Sequence, residues 1–194
     1  LQNFQSRKRL LEYDDVMNQQ REVVYSLRLF ALERGEELKA EARRMIGGAL
    51  ERYTRHFLVG TDNPAEFDRG GLREALVLQY LVNTDAVVDA DATPSMAAII
   101  DAVRAEGEAT FRRKIEYLTE FGRTINIPDV ETQVLSQVML NVLDEKWKDH
   151  LYDLDQLRNA IQYRAYGQLD PLVEYKKEAY EMFEDLMRDI QSTF

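Results

Sequence analysis

The residue types that most often carry chemistry are scarce in this chain. It has two histidines, His56 and His150, and no cysteine, so thiol nucleophiles and thiolate metal sites are excluded. His150 lies between Asp149 and Asp153, but three groups within one helical turn cannot surround a metal ion. Neither histidine has the glutamate three residues earlier that a helical di-metal site requires. We therefore expect a solvated acidic face beside His150 and no metal site.

A second group of charged residues lies near the start of the chain, where Glu12, Asp14 and Asp15 follow the basic residues 7–9. Neighbouring carboxylates could form an acid–base pair, but on a long helix they more often form surface ion pairs with residues three or four positions away. Neither G-x-x-x-x-G-K-[ST] nor G-x-G-x-x-G occurs, so no phosphate-binding loop is predicted. We expect no catalytic residue and no ATP hydrolysis by this chain alone.

Residues 163–169 have a composition that indicates a binding surface. Two tyrosines, an arginine and a leucine stand where the helical periodicity stops. Aromatic and apolar residues on an exposed connection favour contact with a partner over a role in stability. Tyr166, beside Gly167, is expected to be exposed, whereas Tyr163 and Leu169 could equally be exposed or pack against the flanking helices.

Composition restricts both the fold and the partners. The 194 residues are 45% hydrophobic and 31% charged, with 9 glycines and 4 prolines, which favours an all-α fold over one that needs frequent tight turns. The formal net charge of −10 disfavours nucleic-acid binding. No apolar run approaches the ~20 residues of a membrane span, and the lack of cysteine suits a reducing cytosol. Because the chain begins at Leu1 without a methionine, we expect it to be a piece of a longer protein.

Hydrophobic periodicity divides the chain into three blocks. Residues 1–34 predict one long helix with apolar residues on more than one side. Residues 35–128 predict a small inserted helical subdomain. Residues 129–194 predict two amphipathic helices that fold back as an antiparallel hairpin, with its tip at about 162–170. This last block is the most acidic, with seven basic and fourteen acidic residues.

Helix boundaries can be predicted from capping residues and prolines. Asn63-Pro64 and Thr93-Pro94 each predict the start of a helix in the middle block, and Asp170-Pro171 predicts the start of the second hairpin helix. Gly70-Gly71 and residues 83–93 are predicted to be loops.

Two stretches of the sequence resemble the SecA family, whose members drive bacterial protein export. The first is similar to the long helix of the SecA scaffold domain and comprises Asn3-Phe4, Arg7-Lys8, Leu10-Leu11-Glu12-Tyr13-Asp14-Asp15-Val16, Asn18 and Gln20-Arg21. The second is similar to the SecA two-helix finger and comprises Trp147-Lys148-Asp149-His150-Leu151, Leu157-Arg158, Ile161, Arg164, Tyr166, Gln168, Asp170-Pro171 and Glu174-Tyr175-Lys176. The middle block resembles the SecA wing domain only in length and helical content.

The resemblance implies a long helix that contacts other domains of its parent protein. In SecA this helix packs against the nucleotide-binding and preprotein-binding domains, which here assigns interdomain contacts to Arg7, Tyr13, Asp14 and Asp15. ATP and magnesium bind in the motor domains of the family, so this chain itself is expected to hold no cofactor.

The resemblance also implies a role for the hairpin tip. The SecA finger inserts into the cytoplasmic mouth of the SecYEG channel, where a tyrosine at its tip contacts the moving preprotein. Tyr166 corresponds to that tyrosine, and it is flanked by Arg164, Ala165, Gly167 and Leu169. Family members commonly carry glycine before the tyrosine, whereas here the glycine follows it. The implied location is the cytoplasm, with peripheral association with the inner face of the cell membrane.

Other interpretations of the chain remain open. A free-standing helical adaptor or oligomerisation module would use the hairpin to bind a partner helix. A carboxylate-bridged metal enzyme is disfavoured by the scarcity of histidine. A homodimer is expected if the long helix buries its free apolar residues against a second copy.

Overall fold

A computed structural model describes residues 2–33, 35–58, 63, 66–84, 95–164 and 170–194, with side chains for all of these except residues 2–10 and 162–164. The described residues form six helices and no strand, which confirms the all-α prediction. The helices are α1 (Gln2–Glu33), α2 (Gly35–Phe57), α3 (Arg69–Tyr80), α4 (Met96–Thr124), α5 (Val130–Arg164) and α6 (Pro171–Thr193).

The chain divides into two compact units. The scaffold unit comprises Leu1–Gly35 and Ser136–Phe194, and the wing unit comprises Glu36–Leu135. The domain boundaries predicted from the sequence, 1–34, 35–128 and 129–194, remain a proposal.

Helices α2, α3 and α4 of the wing unit share an apolar core with residues that follow α2 and α3. Its buried members are Leu50, Leu58, Phe67, Leu72, Leu76, Val82, Ile99 and Val103. A close helix approach accompanies this core, because a Cβ atom at Gly107 of α4 would lie 2.2 Å from Cδ1 of Leu50 on α2. Glycine therefore allows the two helices to pack at this point.

The helix starts in the wing unit differ from the sequence-based prediction. Gly70 and Gly71 are not a loop but part of the first turn of α3. Asp68 caps this helix, since its Oδ1 accepts a hydrogen bond from the Gly71 backbone N–H at 2.9 Å. Ser95 similarly caps α4 by accepting a hydrogen bond from the Ala98 N–H. The backbone carbonyl of Asn63 accepts a hydrogen bond from the Glu66 N–H. Pro64 of the start predicted at Asn63-Pro64 and both residues of the start predicted at Thr93-Pro94 lie outside the described residues.

A tight turn joins α4 to α5 within the wing unit. The Ile127 N–H donates to the Gly122 carbonyl at 2.9 Å, and Asn126 adopts the left-handed backbone conformation with φ of 57°. A Cβ atom at Gly122 would lie 2.8 Å from the backbone oxygen of Ile127 and 3.0 Å from Cγ2 of Val130. Because the backbone oxygen of the turn cannot move independently, this position requires glycine.

The scaffold unit is a bundle of three helices. Ile161, near the end of α5, belongs to the same cluster as Tyr175, near the start of α6, and the His150 ring contacts the Phe183 ring further along both helices. These pairs show that α5 and α6 are antiparallel, as the sequence predicts. Asp14, early in α1, pairs with Arg158, late in α5, whereas Arg28, late in α1, pairs with the earlier Asp144. Helix α1 is therefore antiparallel to α5. It is therefore parallel to α6.

The turn at Gly122 generates a stability prediction. Gly122→Ala should lower the free energy of unfolding by about 1–3 kcal/mol, because the added methyl group overlaps the Ile127 carbonyl. Gly48→Ala is the matched control, since only a mobile Arg52 nitrogen, 3.4 Å away, faces a Cβ atom there. The control should raise stability by up to about 1 kcal/mol, because alanine favours the helix. Urea unfolding of the 194-residue chain, followed by circular dichroism, measures both. A Gly122→Ala chain as stable as the Gly48→Ala chain would contradict the prediction.

Candidate functional site at the junction of the long helix and the hairpin

A buried glutamine joins α1 to both hairpin helices. The Gln20 side chain is only 7% exposed, and its Nε2 donates a hydrogen bond to the backbone carbonyl of Ala179 on α6 at 2.9 Å. Its Oε1 lies 2.8 Å from Nε2 of His150 on α5. One side-chain amide therefore connects three helices within the scaffold unit.

The hydrogen bonds of Gln20 also determine the tautomer of His150. A backbone carbonyl can only accept, so the Gln20 atom that faces Ala179 must be the amide nitrogen. Oε1 then faces the imidazole, and because an amide oxygen only accepts, Nε2 of His150 must carry the proton. The neutral ring with hydrogen on Nε2 satisfies this arrangement.

The surroundings of His150 favour the neutral form. The residue is 5% exposed, and its ring lies 5.5 Å from the Trp147 ring and 5.9 Å from the Phe183 ring. Burial lowers the pKa of His150 below its usual value, while the negative charge of Asp153 acts in the opposite direction. The acidic residues beside it on α5, Asp149 and Asp153, are exposed as expected, whereas His150 itself is buried.

The sequence contained a signal for this junction. Met17 and Val24 lie seven residues apart in the row of apolar residues along α1. Gln20, three residues after Met17 and four before Val24, lies on the same side of the helix. His150 occupies the equivalent position between Trp147 and Leu154 on α5. A polar residue at an apolar position on each of two packed helices indicates a buried hydrogen bond.

Tyr13 and Asp14, two of the residues predicted to make interdomain contacts, contact the hairpin. Asp14 accepts a hydrogen bond from the Arg158 guanidinium at 3.2 Å. The same guanidinium lies 5.7 Å from the centre of the Tyr13 ring, and that ring packs against Tyr175 at 4.7 Å between centroids. Asp15 is exposed. The backbone of Arg7 is helical, and its side chain lies outside the described set.

A groove of about 430 Å³ runs between α1 and α6 next to Gln20. It is lined by Glu12, Asp15, Val16, Gln19, Gln20, Val23, Lys176, Tyr180 and Phe183. The groove has carboxylates along α1, an ammonium group on α6 and apolar side chains between them. This arrangement offers both charge and apolar area to a partner.

The surface of α1 also carries large apolar side chains that are exposed to solvent. Leu11, Tyr25, Leu29 and Leu32 are each more than half exposed. Tyr25, Leu29 and Leu32 lie four and three residues apart, so they share one side of the helix. Apolar residues that cluster on an exposed helix face are typical of an interaction surface.

The predicted tip residues lie mostly beyond the described part of the chain. Arg164 is the last residue of α5, and its side chain, together with Ala165, Tyr166, Gly167 and Leu169, lies outside the described residues. The predicted restart of the chain as a helix at Asp170-Pro171 is confirmed. The Asp170 carboxylate accepts a hydrogen bond from the Leu172 N–H at 3.0 Å, and Pro171 occupies the first turn.

The described residues contain neither a cluster of metal ligands nor a membrane-spanning helix. No group of three or more histidine, aspartate or glutamate side chains there has a geometry that could hold a metal ion. In the same residues, every helix is too short or too polar to span a bilayer.

The burial of His150 generates a prediction for the pH dependence of stability. Its pKa is lowered in the folded chain, so between that lowered value and ~6.5 the unfolded chain binds more protons. Its contribution to stability is therefore complete above pH ~6.5 and falls as the pH drops towards the folded pKa. His150→Gln should reduce the loss of stability between about pH 7.5 and about pH 5.5, measured as urea midpoints.

The chain supplies its own control for this measurement, because its other histidine, His56, is exposed. His56→Gln should retain the pH dependence of the parent chain. An identical pH dependence in all three chains would exclude a contribution from His150.

Comparisons with known proteins place the chain in a family. The family model described as "SecA Wing and Scaffold domain" matches residues 1–194. Protein translocase subunit SecA of Solibacter usitatus is 38% identical over 190 residues, covering 98% of this chain and 19% of that protein. The SecA proteins of Chloroherpeton thalassium (37% over 191 residues, 98% of this chain and 17% of that protein) and Pelotomaculum thermopropionicum (39% over 189 residues, 97% and 20%) are also similar. The chain spans about a fifth of the length of these relatives. It belongs to the SecA wing and scaffold domain family.

Proposed function

We propose that this chain is the scaffold, wing and two-helix finger part of a SecA-type protein-export motor. Its function would be to couple ATP-driven movements of the parent protein to movement of a preprotein through the SecYEG channel. The names of its relatives, protein translocase subunits, support this proposal. The chain would have no catalytic activity by itself, and ATP and magnesium would bind to the motor domains of the parent.

The observation that carries the proposal is the attachment of α1 to both helices of the hairpin. The contacts occur at three levels along α1: Tyr13 and Asp14, then Gln20, then Arg28, which forms an ion pair with Asp144. These levels span about 23 Å at the rise of an α-helix. A force applied to α1 would therefore move α5 and α6 with it, because the three helices are joined along their length and not at one point.

The free surfaces of α1 support contacts with further domains of the parent. One side of α1 packs against the hairpin, and the exposed side carries Leu11, Tyr25, Leu29 and Leu32. We propose that the nucleotide-binding and preprotein-binding domains cover these residues, with Arg7 and Asp15 in the same interface. Tyr13 and Asp14 would act indirectly there, by holding α1 on the hairpin. A second copy of the chain is the alternative occupant and would form a homodimer.

The other end of the module is the connection between α5 and α6. Two helices of 35 and 23 residues lead to and from residues 165–169. We propose that Tyr166 contacts the preprotein within SecYEG, with Arg164, Ala165, Gly167 and Leu169 beside it. This function would place the protein in the cytoplasm, bound peripherally to the inner face of the cell membrane.

Substitution of the tip tyrosine tests this function. In the full-length parent, Tyr166→Ala should reduce preprotein transport several-fold and leave basal ATPase activity nearly unchanged, because the ring contacts the preprotein and not the motor domains. Tyr166→Phe should retain most of the transport. Tyr152→Ala is the matched control, since Tyr152 is an exposed tyrosine of α5 and lies outside the tip. It should affect neither activity.

Transport assays with membrane vesicles and ATPase assays on the same preparations provide both readouts. Equal losses of transport and basal ATPase activity in Tyr166→Ala would contradict the proposed contact. Equal transport by the Tyr166→Ala and Tyr152→Ala proteins would contradict it as well.

A further inference from the structure

The chain leaves α3 through a backbone conformation that leucine rarely adopts. Leu81, the first residue after the helix, has φ of 57° and ψ of 29°, which is the left-handed region. Its N–H donates to the Val77 carbonyl at 3.1 Å. The next N–H, of Val82, donates to the Leu76 carbonyl at 3.3 Å and brings Val82 into the core of the wing unit. Glycine is the usual residue at the left-handed position of such a turn, because it has no Cβ atom.

The leucine side chain gains little from this position within the chain itself. Leu81 is 67% exposed, so burial does not offset the unfavourable left-handed backbone. A residue that is unfavourable locally and has no compensating contact indicates a role outside the fold. Leu81 is therefore available to a partner.

Leu81 completes an exposed stripe along α3. Glu74, Val77 and Leu78 lie three and four residues apart, on the side of the helix that faces away from the buried Leu72. Leu78 is 84% exposed. We call Glu74, Val77, Leu78 and Leu81 the α3 stripe. Its spacing of three, four and seven residues is the one by which the face of a helix binds a partner.

A second exposed stripe lies on α4 in the same unit. Tyr117 and Phe121 of α4 and Ile125 directly after it are spaced by four residues, and all three are exposed. The Tyr117 and Phe121 rings stack on each other, with 6.5 Å between their centroids. Lys114 is exposed one turn before Tyr117. We call these four residues the α4 stripe.

The two stripes match each other in spacing and are opposite in charge. Each begins with a charged residue that has apolar residues three and seven positions later, namely Glu74 with Val77 and Leu81, and Lys114 with Tyr117 and Phe121. Seven residues of helix span about 10.5 Å. If the two helices lay side by side in the same direction, the carboxylate would meet the ammonium group where the apolar residues are in contact. Both stripes are exposed within one copy, so they do not cover each other there.

We propose that the wing unit associates with a second copy of itself, with the α3 stripe of one copy against the α4 stripe of the other. Each copy carries both stripes, so the contact is made twice in a closed two-fold pair. Burial of the apolar side chains drives the association, and the opposite charges of Glu74 and Lys114 set the direction of the helices. Leu81 gains its burial in the pair. This surface is separate from the exposed residues of α1 and does not rest on the function proposed above.

Sedimentation equilibrium of the 194-residue chain at concentrations up to about 1 mM tests the proposal. We expect a monomer–dimer equilibrium. Leu81→Gly should weaken the dimer by about tenfold or more, because it removes an apolar side chain from the interface. The same substitution should raise the urea midpoint of the dilute monomer, since glycine suits the left-handed backbone. A weaker dimer would then not result from a weaker fold.

Charge reversal tests the pairing of the two stripes. Glu74→Lys and Lys114→Glu should each weaken the dimer several-fold, because each places like charges opposite one another. The double variant should restore the dimer, since it forms the same pair with the charges exchanged. Tyr25→Ala is the matched control, because Tyr25 is a large exposed side chain of α1. It should leave the dimer constant unchanged.

Several results would overturn the proposal. A chain that stays monomeric over the whole range would mean that a different partner covers the stripes. A dimer that Leu81→Gly leaves intact would exclude the α3 stripe from the interface, and one that Tyr25→Ala dissociates would place the interface on α1. Weakening by both single charge reversals without recovery in the double variant would exclude the pairing of Glu74 with Lys114.

Discussion

The scaffold unit depends on one buried side-chain amide. Gln20 has lost water, so its donor and its acceptor must both find partners inside the bundle. The Ala179 carbonyl on α6 and the His150 imidazole on α5 supply them. Apolar packing tolerates sliding of one helix along another, whereas this pair of hydrogen bonds exists at one axial position. The amide therefore fixes the register of α1 against both hairpin helices.

The remaining contacts of the scaffold unit follow from that register. The ring contact of Tyr13 with Tyr175 and the ion pairs of Asp14 and Arg28 occur on either side of Gln20, where the helix directions bring their partners opposite. The ion pairs involve partly exposed groups, and each contributes at most about 1 kcal/mol. These ion pairs therefore help to orient α1 on the hairpin more than they stabilise the fold. The long helix thus has one side packed against the hairpin and one side with exposed apolar residues.

Sequence reasoning could predict the helices but not all their partners. The spacing of apolar residues predicted α1, α5 and α6, since period 3.6 is a local property of the chain. Gly70-Gly71 was predicted wrongly as a loop because glycine is treated as a breaker, whereas Asp68 satisfies the N–H of Gly71 and starts a helix there. The acidic residues predicted to form a solvated face beside His150, Asp149 and Asp153, are exposed, but the prediction did not include the burial of His150 itself. Its hydrogen-bond partner, Gln20, lies 130 residues away in the sequence, and a local sequence pattern cannot identify a partner at that separation.

A double-mutant cycle between Gln20 and His150 tests the central claim most directly. Gln20→Met and His150→Phe, singly and together in the 194-residue chain, remove each hydrogen-bonding partner while retaining much of the side-chain volume. The account predicts a coupling energy of about 1–3 kcal/mol, because each single variant leaves a buried polar group unpaired that the double variant does not. Single effects on the free energy of unfolding that simply add, with no coupling, would contradict it.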